Sequence, residues 1–220
     1  MEEQVIIIGS GGHAKVVIDI FERCGYPIIG LIDDFRAVGA RTLGYEVIGG
    51  LKEVMQLATT HPQSKFFVAV GDNWLRSKIS EELVDLLPDA RFANAIHPAA
   101  TLGRDVNCGV GVAIMAGAVV NSATRLGNFT IVNTGARVDH DSVLGAFSSI
   151  APGAVMGGNV TVGDYSAVAI GAVVGHGVTV GKHTVIGAAG LQLADAGDRE
   201  VWYGVPARKV RSREVGEKYM

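Results

Sequence analysis

The chain has 220 residues, 48% of them hydrophobic and 19% charged, with a formal net charge of −3. This is the composition of a folded globular protein with one large or two small domains; it excludes a disordered chain and lacks the basic face that a nucleic-acid partner requires. Thirty glycines against six prolines, with 6% aromatics and many β-branched residues, point to a repeating β architecture with tight turns.

Two cysteines exclude a disulfide framework and suit a reducing compartment. The opening MEEQVIIIGSGG has no basic residues ahead of its apolar run, which is too short for a signal peptide or a membrane span. A cytoplasmic protein with no membrane partner is expected.

In chain order, QVIII predicts a short buried strand that GSGG ends. A helix follows with Val16, Val17, Ile20 and Phe21 on one face, and CGYP stops it. IIGLID predicts a second strand, LKEVMQLAT a short helix and KFFVAV a third strand. NWLRSKISEELVDLL predicts a further helix and RFANAI a final strand. This βαβαβαβ order implies a Rossmann-like α/β domain over residues 1–97, a small parallel sheet with helices packed on it.

The loop GSGGHAK, residues 9–15, fits G-x-G-x-x-A between a strand and a helix, with Asp33 about twenty residues on. Gly11, Gly12, His13 and the helix N-terminus are expected to hold a phosphate, with Asp33 and Asp34 near a ribose or base. The alternative is a tight turn with no ligand. The sheet is too small for a full dinucleotide fold, which favours a nucleotide-sugar. In VAVGDNWLR, Gly71 ends the third strand, where open parallel sheets bind ligands. Gly71 and Arg76 are therefore ligand candidates, while Asp72 or Asn73 suits a helix N-cap.

After His97-Pro98 the period changes. Every sixth residue from Leu102 to Ile186 is apolar, fifteen positions without a break. This hexapeptide repeat predicts a parallel β-helix over residues 98–220, about five triangular coils of about eighteen residues each. DREVWYGVPARKVRSREVGEKYM breaks the rhythm and reads as a cap. Small residues taken to face outward, Ala116, Ala136 and Ala154, would permit flat packing between copies, so a homotrimer is expected.

RVDHDSVLG places His140 between Asp139 and Asp141 within this apolar repeat. A lone histidine at a coil corner is usually a solvated turn residue; flanking carboxylates raise its basicity and fix its tautomer. Cys108 reads as an inward core position and Cys24 as a helix end, so neither is a nucleophile. Direct attack by an acceptor, with His140 as general base, is the chemistry that remains. His176 lies thirty-six residues on, two coils away and roughly 10 Å along the stack. A metal shared between subunits, as in the gamma-class carbonic anhydrases, fits that spacing and the paired acids poorly, and no metal is expected.

Together VIIIGSGGHAKVV, LIDD, VAVGDN-LR, IVNTGARVDHDSVLG, the hexads and GVPAR resemble the sugar O- and N-acetyltransferases typified by the sialic acid O-acetyltransferase family. NAIHPAA and GDNWLR carry a closer likeness to N-acetyltransferases of nucleotide-linked 4-amino-4,6-dideoxy sugars, such as perosamine and bacillosamine. The resemblance implies a left-handed β-helix, acetyl-CoA as co-substrate in a groove between subunits, and a nucleotide-linked amino sugar in the N-terminal domain. It implies nucleotide-sugar contacts from Gly11, Gly12, His13, Asp33, Asp34 and Gly71, and His140 as base with Asp141 as its acidic partner. It also places Asn133 near the acetyl group and acetyl-CoA along Gly158, Ile170 and Ala188. Two departures stand out: Ser149 occupies the position of a second histidine that touches acetyl-CoA in relatives, and His176 replaces a common proline. O-acetylation of a sialic acid or related sugar, and a non-catalytic sugar-nucleotide scaffold, are the alternatives.

Overall fold

The computed structural model describes residues 3–218. In the N-terminal unit, β1 (Gln4–Ile8), α1 (Gly12–Arg23), β2 (Ile28–Ile32), β3 (Arg41–Thr42) and β4 (Tyr45–Gly49) are followed by α2 (Val54–Thr60), β5 (Ser64–Val68) and α3 (Asn73–Leu86). The sheet runs β3-β4-β2-β1-β5, with β3 antiparallel to β4 and the other pairs parallel. Both faces of β1 are covered, so Val5, Ile6, Ile7 and Ile8 are all buried, as continuous apolar strands of parallel sheets are. Helix α1 lays Ala14, Val17, Ile18 and Phe21 on the sheet, the i, i+3, i+4, i+7 stripe. Val16, expected on that face, is 41% exposed.

Two expectations fail here. The β3–β4 hairpin is absent from the sequence reading because its turn, Leu43 and Gly44, takes positive φ at both residues (48° and 89°). Such turns are ordinarily signalled by Asn-Gly or Asp-Gly. The segment RFANAI gives the sheet no strand: Phe92 makes a single bridge to Phe66, while Ala95–Ile96 pairs with Ala113–Ile114 in the second unit.

That second unit is a left-handed parallel β-helix. Among the described residues its three faces are sheets of six, five and eight strands, in which each two-residue rung pairs in parallel with the rung eighteen residues on. The corners follow the same period. From Asp105 to Ala189 every sixth residue has φ between 52° and 70°, a conformation that costs L-residues energy and lets the chain turn sharply. Three edges result, named here for one member each: the Asp141 edge (105, 123, 141, 159, 177), the Phe129 edge (111, 129, 147, 165, 183) and the Gly135 edge (117, 135, 153, 171, 189).

The repeating aliphatic residue points into the prism as expected, from Ile114 through Ile186, although Leu102 and Cys108 in the first coil are only partly covered. Ala136 and Ala154 do not face outward. Each follows a left-handed corner residue, is fully buried, and belongs to the prism core; Ala116 is half-buried. Small size at these positions is set by the narrow interior, not by an outer contact. After Leu191–Gln192 the chain forms an antiparallel hairpin, Glu200–Gly204 with Ala207–Ser212, that extends the eight-stranded face and closes the end.

That eight-stranded face is covered within the chain. Its outward residues Ala113, Ile131, Ser149, Ala167 and Val185 are all buried, and Ala113, Met115 and Ile131 share one apolar cluster with Val17 and Phe21 of α1. Beside it the Phe129 edge carries an aromatic ladder: Phe129, Phe147, Tyr165 and His183 stack with centroids 4.9, 5.4 and 4.6 Å apart. Trp74 of α3 leans on Tyr165 and Phe92 packs edge-on against Phe129. Bulky aromatics are poor candidates for left-handed φ; stacking along the ladder offsets that cost.

Candidate active site

The carboxyl ends of β1, β2 and β5 open into a cavity of about 320 Å³ lined by Gly9–His13, Ile32–Phe35, Leu51, Ala69–Gly71, Leu75 and Ile79. It lies beside the β1/β5 pair, where the strand order reverses, which is where open α/β sheets take ligands. Gly9 sits at φ 101° with a Cβ-equivalent position 3.1 Å from the Ala69 carbonyl, so no other residue fits the turn without strain. Side chains at Gly11 and Gly12 would meet nothing; their absence leaves backbone open to the cavity.

Of the expected contacts, Gly11, Gly12, His13, Asp33, Asp34 and Gly71 all line this cavity. Asp33 Oδ2 accepts from the Ser10 amide (3.0 Å) and hydroxyl, and Oδ1 from the Phe35 amide (2.9 Å). Burial pushes its carboxyl up, but these donors together outweigh burial and hold it below the ordinary value. Asp33 thus shapes the glycine loop. Asp34 Oδ1 accepts from the Leu51 amide at 2.8 Å. His13 Nε2 is buried without a partner; burial, then the Arg76 charge, push its pKa down to about 4, so the ring is neutral at pH 7.

Arg76 is not at the cavity surface. It is 1% exposed, and its guanidinium donates to the carbonyls of Val70 (2.9 Å), Gly71 (3.0 Å), Phe129 (2.9 Å) and Phe147 (3.2 Å) and to Asn73 Oδ1 (2.8 Å). Its guanidinium is engaged inside the fold rather than turned toward the cavity. Asp72 is the N-cap of α3, accepting from the Leu75 amide at 2.8 Å.

The second cluster is on the Asp141 edge. His140 Nδ1 lies 2.7 Å from Asp141 Oδ2, and both side chains are about half exposed. A carboxylate only accepts, so the proton sits on Nδ1 and Nε2 carries the free lone pair. Asp139 Oδ1 accepts from the His140 amide (2.8 Å) and from Asn121 Nδ2 (2.7 Å). The Asp141 hydrogen bond, then the Asp139 charge, raise the His140 pKa above its usual value. Asp141 itself is a left-handed corner residue (φ 56°), and that turn folds its carboxylate back onto the preceding ring.

One coil on, Gly158 lies under the ring. A Cβ there would stand 2.6 Å from His140 Nε2, so glycine leaves Nε2 uncrowded. The Gly158 amide donates to His176 Nδ1 at 2.9 Å, placing His140, Gly158 and His176 on one edge. The remaining acetyl-CoA candidates lie elsewhere. Asn133, its Oδ1 accepting from the Thr134 amide, belongs with exposed Ile170 and Ala188 to the Gly135 edge. Ser149 is 7% exposed on the covered face, away from His140. The two edges flank one face whose coil side is six residues, about 20 Å at ~3.3 Å per residue. One chain therefore does not bring these residues into a single groove.

Among the described residues, no group of three His, Cys, Asp or Glu could hold a metal ion, and no helix is long and apolar enough to cross a membrane. Ser10 and the aromatic ladder escaped the sequence reading. The ladder's eighteen-residue spacing was available as a signal; Ser10's contact with Asp33 spans 23 residues and was not.

The PglD N-terminal domain family matches residues 4–83. A histidine-to-asparagine variant of perosamine N-acetyltransferase from Caulobacter crescentus, solved in complex with CoA and GDP-perosamine, superposes with a TM-score of 0.87 at 38% identity, covering 95% of this chain and 97% of that one. The acetyltransferase domain of PglB from Neisseria gonorrhoeae, in complex with acetyl coenzyme A, superposes with a TM-score of 0.85 at 34% identity, covering 96% and 100%. UDP-N-acetylbacillosamine N-acetyltransferase of Bacillus subtilis is 32% identical over 116 residues, 52% of each chain. The chain thus spans about half the length of that curated relative, and 24% of a viral one at 34% identity.

Proposed function

The chain belongs to the nucleotide-sugar amino N-acetyltransferase family, and from that premise we propose that it transfers acetyl from acetyl-CoA to the C4 amine of a nucleotide-linked 4-amino-4,6-dideoxy sugar. The observation that carries the reading is His140, its Nδ1 bound to Asp141 at 2.7 Å and its Nε2 open above Gly158. A base fixed in one tautomer and facing a space kept clear by glycine suits proton removal from an attacking amine. The relatives' complexes with CoA and GDP-perosamine support the choice of substrates.

In this reading the cavity at β1 and β5 holds the nucleoside diphosphate, with Gly11, Gly12 and the start of α1 at the phosphates and Asp34 at the ribose or base. The amine nitrogen attacks the thioester carbonyl carbon, forming the C–N bond. His140 Nε2 takes the amine proton, and Asp141 steadies the imidazolium. The C–S bond breaks, and the imidazolium proton passes to the departing thiolate, so free CoA leaves and the base is restored. Neither cysteine takes part: Cys24 donates to the Ile96 carbonyl, and burial pushes the Cys108 thiol up.

The working unit is a homotrimer. Asn133, Ile170 and Ala188 of one copy meet His140 and Gly158 of another in a shared groove that holds acetyl-CoA. Two free cysteines suit a reducing cytoplasm. The test is incubation with acetyl-CoA and a panel of nucleotide-linked amino and hydroxy sugars, following free thiol. Thiol release with 4-amino sugars, giving a product stable to mild alkali as an amide is, supports the reading. An alkali-labile ester from a hydroxy sugar would put O-acetylation in its place, and no release with any sugar would point to a scaffold.

A further inference from the structure

We infer that Arg76, with Asn73, is a positioning residue that fixes the nucleotide cavity relative to the catalytic prism; this rests on the function proposed above. Val70 and Gly71 form part of the cavity wall, and both their carbonyls are held by Arg76 Nη1 at 2.9 and 3.0 Å. The same guanidinium reaches two coils of the prism, Phe129 O through Nε and Phe147 O through Nη2. Nη2 also holds Asn73 Oδ1, and Asn73 Nδ2 reaches the next coil at Ser166 O (3.1 Å). One buried fork therefore ties the ligand-facing end of β5 to three consecutive turns of the Phe129 edge.

Attachment alone does not call for this residue. The apolar cluster of α1 with Ala113, Met115 and Ile131 already joins the units, as does the Phe92–Phe129 contact at 4.9 Å. A buried charge is weak evidence for stability, since well-packed apolar residues often do as well. What apolar contacts lack is direction. A planar fork with five donors defines an angle between the elements it joins; a lysine ammonium, a single point charge, does not. The angle matters because the sugar is anchored by its nucleotide in one unit and reacts at a base in the other unit's prism. A misplacement of about 1 Å at the reacting atoms costs on the order of 10²-fold in rate.

The experiment compares the wild-type trimer with Arg76→Met and Arg76→Lys on two acceptors: the nucleotide-linked amino sugar, and the same amino sugar without its nucleotide at high concentration. Only the first is positioned through the cavity. The inference predicts that kcat on the nucleotide-linked sugar falls about 10²-fold in both variants. The KM for acetyl-CoA and turnover of the free sugar should stay as they were. Equal losses on both acceptors, or full activity in either variant, would overturn it. A second measurement does not depend on activity: the distance distribution between spin labels at Lys52 and Thr179, on cysteine-free subunits diluted into unlabelled ones. It should be narrow in the wild type and broader in Arg76→Met at an unchanged fold; an unaltered distribution would equally overturn the inference.

Discussion

In the proposed mechanism His140 can serve as a base because of its neighbours in sequence. Asp139 and Asp141 flank it, and the left-handed turn at Asp141 converts adjacency into a 2.7 Å hydrogen bond. That is why the His140–Asp141 pairing was legible from nine letters. Arg76 was misread because its partners are backbone carbonyls as many as 71 residues away, and a carbonyl has no letter of its own. His140→Ala is expected to lower kcat by about 10²–10⁴-fold, the usual worth of a general base, with acetyl-CoA affinity nearly unchanged; steady-state kinetics with equilibrium binding checks this. The pH dependence has a definite sign. Only neutral His140 accepts a proton, and Asp141 and Asp139 raise its pKa, so the acid limb of kcat/KM lies above the usual histidine value of about 6.5. Asp141→Asn removes the larger cause, so the limb should move to lower pH while the plateau falls. A limb that stays in place would mean another group titrates.

At the scale of elements, the six-residue period announced the prism because its interior is narrow and admits one aliphatic residue and one no larger than valine per hexad. The same rule misled about Ala136 and Ala154: small residues in an exposed repeat suggest an outer contact, yet these are small because they turn inward beside a corner. The β3–β4 hairpin stayed hidden since Leu43-Gly44 is not a turn pair with a recognised signal, and RFANAI looked like a strand of the wrong sheet because alternation does not say which sheet a strand joins. The expected nucleotide loop, by contrast, lies at the cavity, since a strand–glycine–helix unit fixes its own geometry locally. Gly158 gives an element-scale prediction. Gly158→Ala puts a methyl 2.6 Å from His140 Nε2, so the ring must swing off Asp141. Turnover should fall by roughly 10²-fold or more, while thermal stability barely changes because the displaced His140 side chain is half exposed. Wild-type turnover in this variant would mean Nε2 is not where the chemistry occurs.

For the whole molecule, the decisive feature is that the candidate residues occupy two edges of one prism. His140 and Gly158 share the Asp141 edge, Asn133, Ile170 and Ala188 the Gly135 edge, and a face about 20 Å across lies between them. The N-terminal unit covers a different face and is riveted to the third edge through Arg76. A closed ring of three copies, a heterologous interface that repeats until it closes, would set the Asp141 edge of each chain beside the Gly135 edge of the next. The sequence pointed to a trimer through its repeat, but on residues of which two, Ala136 and Ala154, turn out to be buried; the division of the candidate site between edges is the stronger ground. The most direct measurement mixes two inactive variants, His140→Ala and the cavity variant Asp34→Ala, under subunit exchange, and follows thiol release. If each site combines one chain's cavity with a neighbour's base, some mixed trimers pair an intact Asp34 with an intact His140 and activity returns. If every mixture stays inactive while exchange is complete, cavity and base belong to one chain, and the account in which a neighbour's base serves each cavity is wrong.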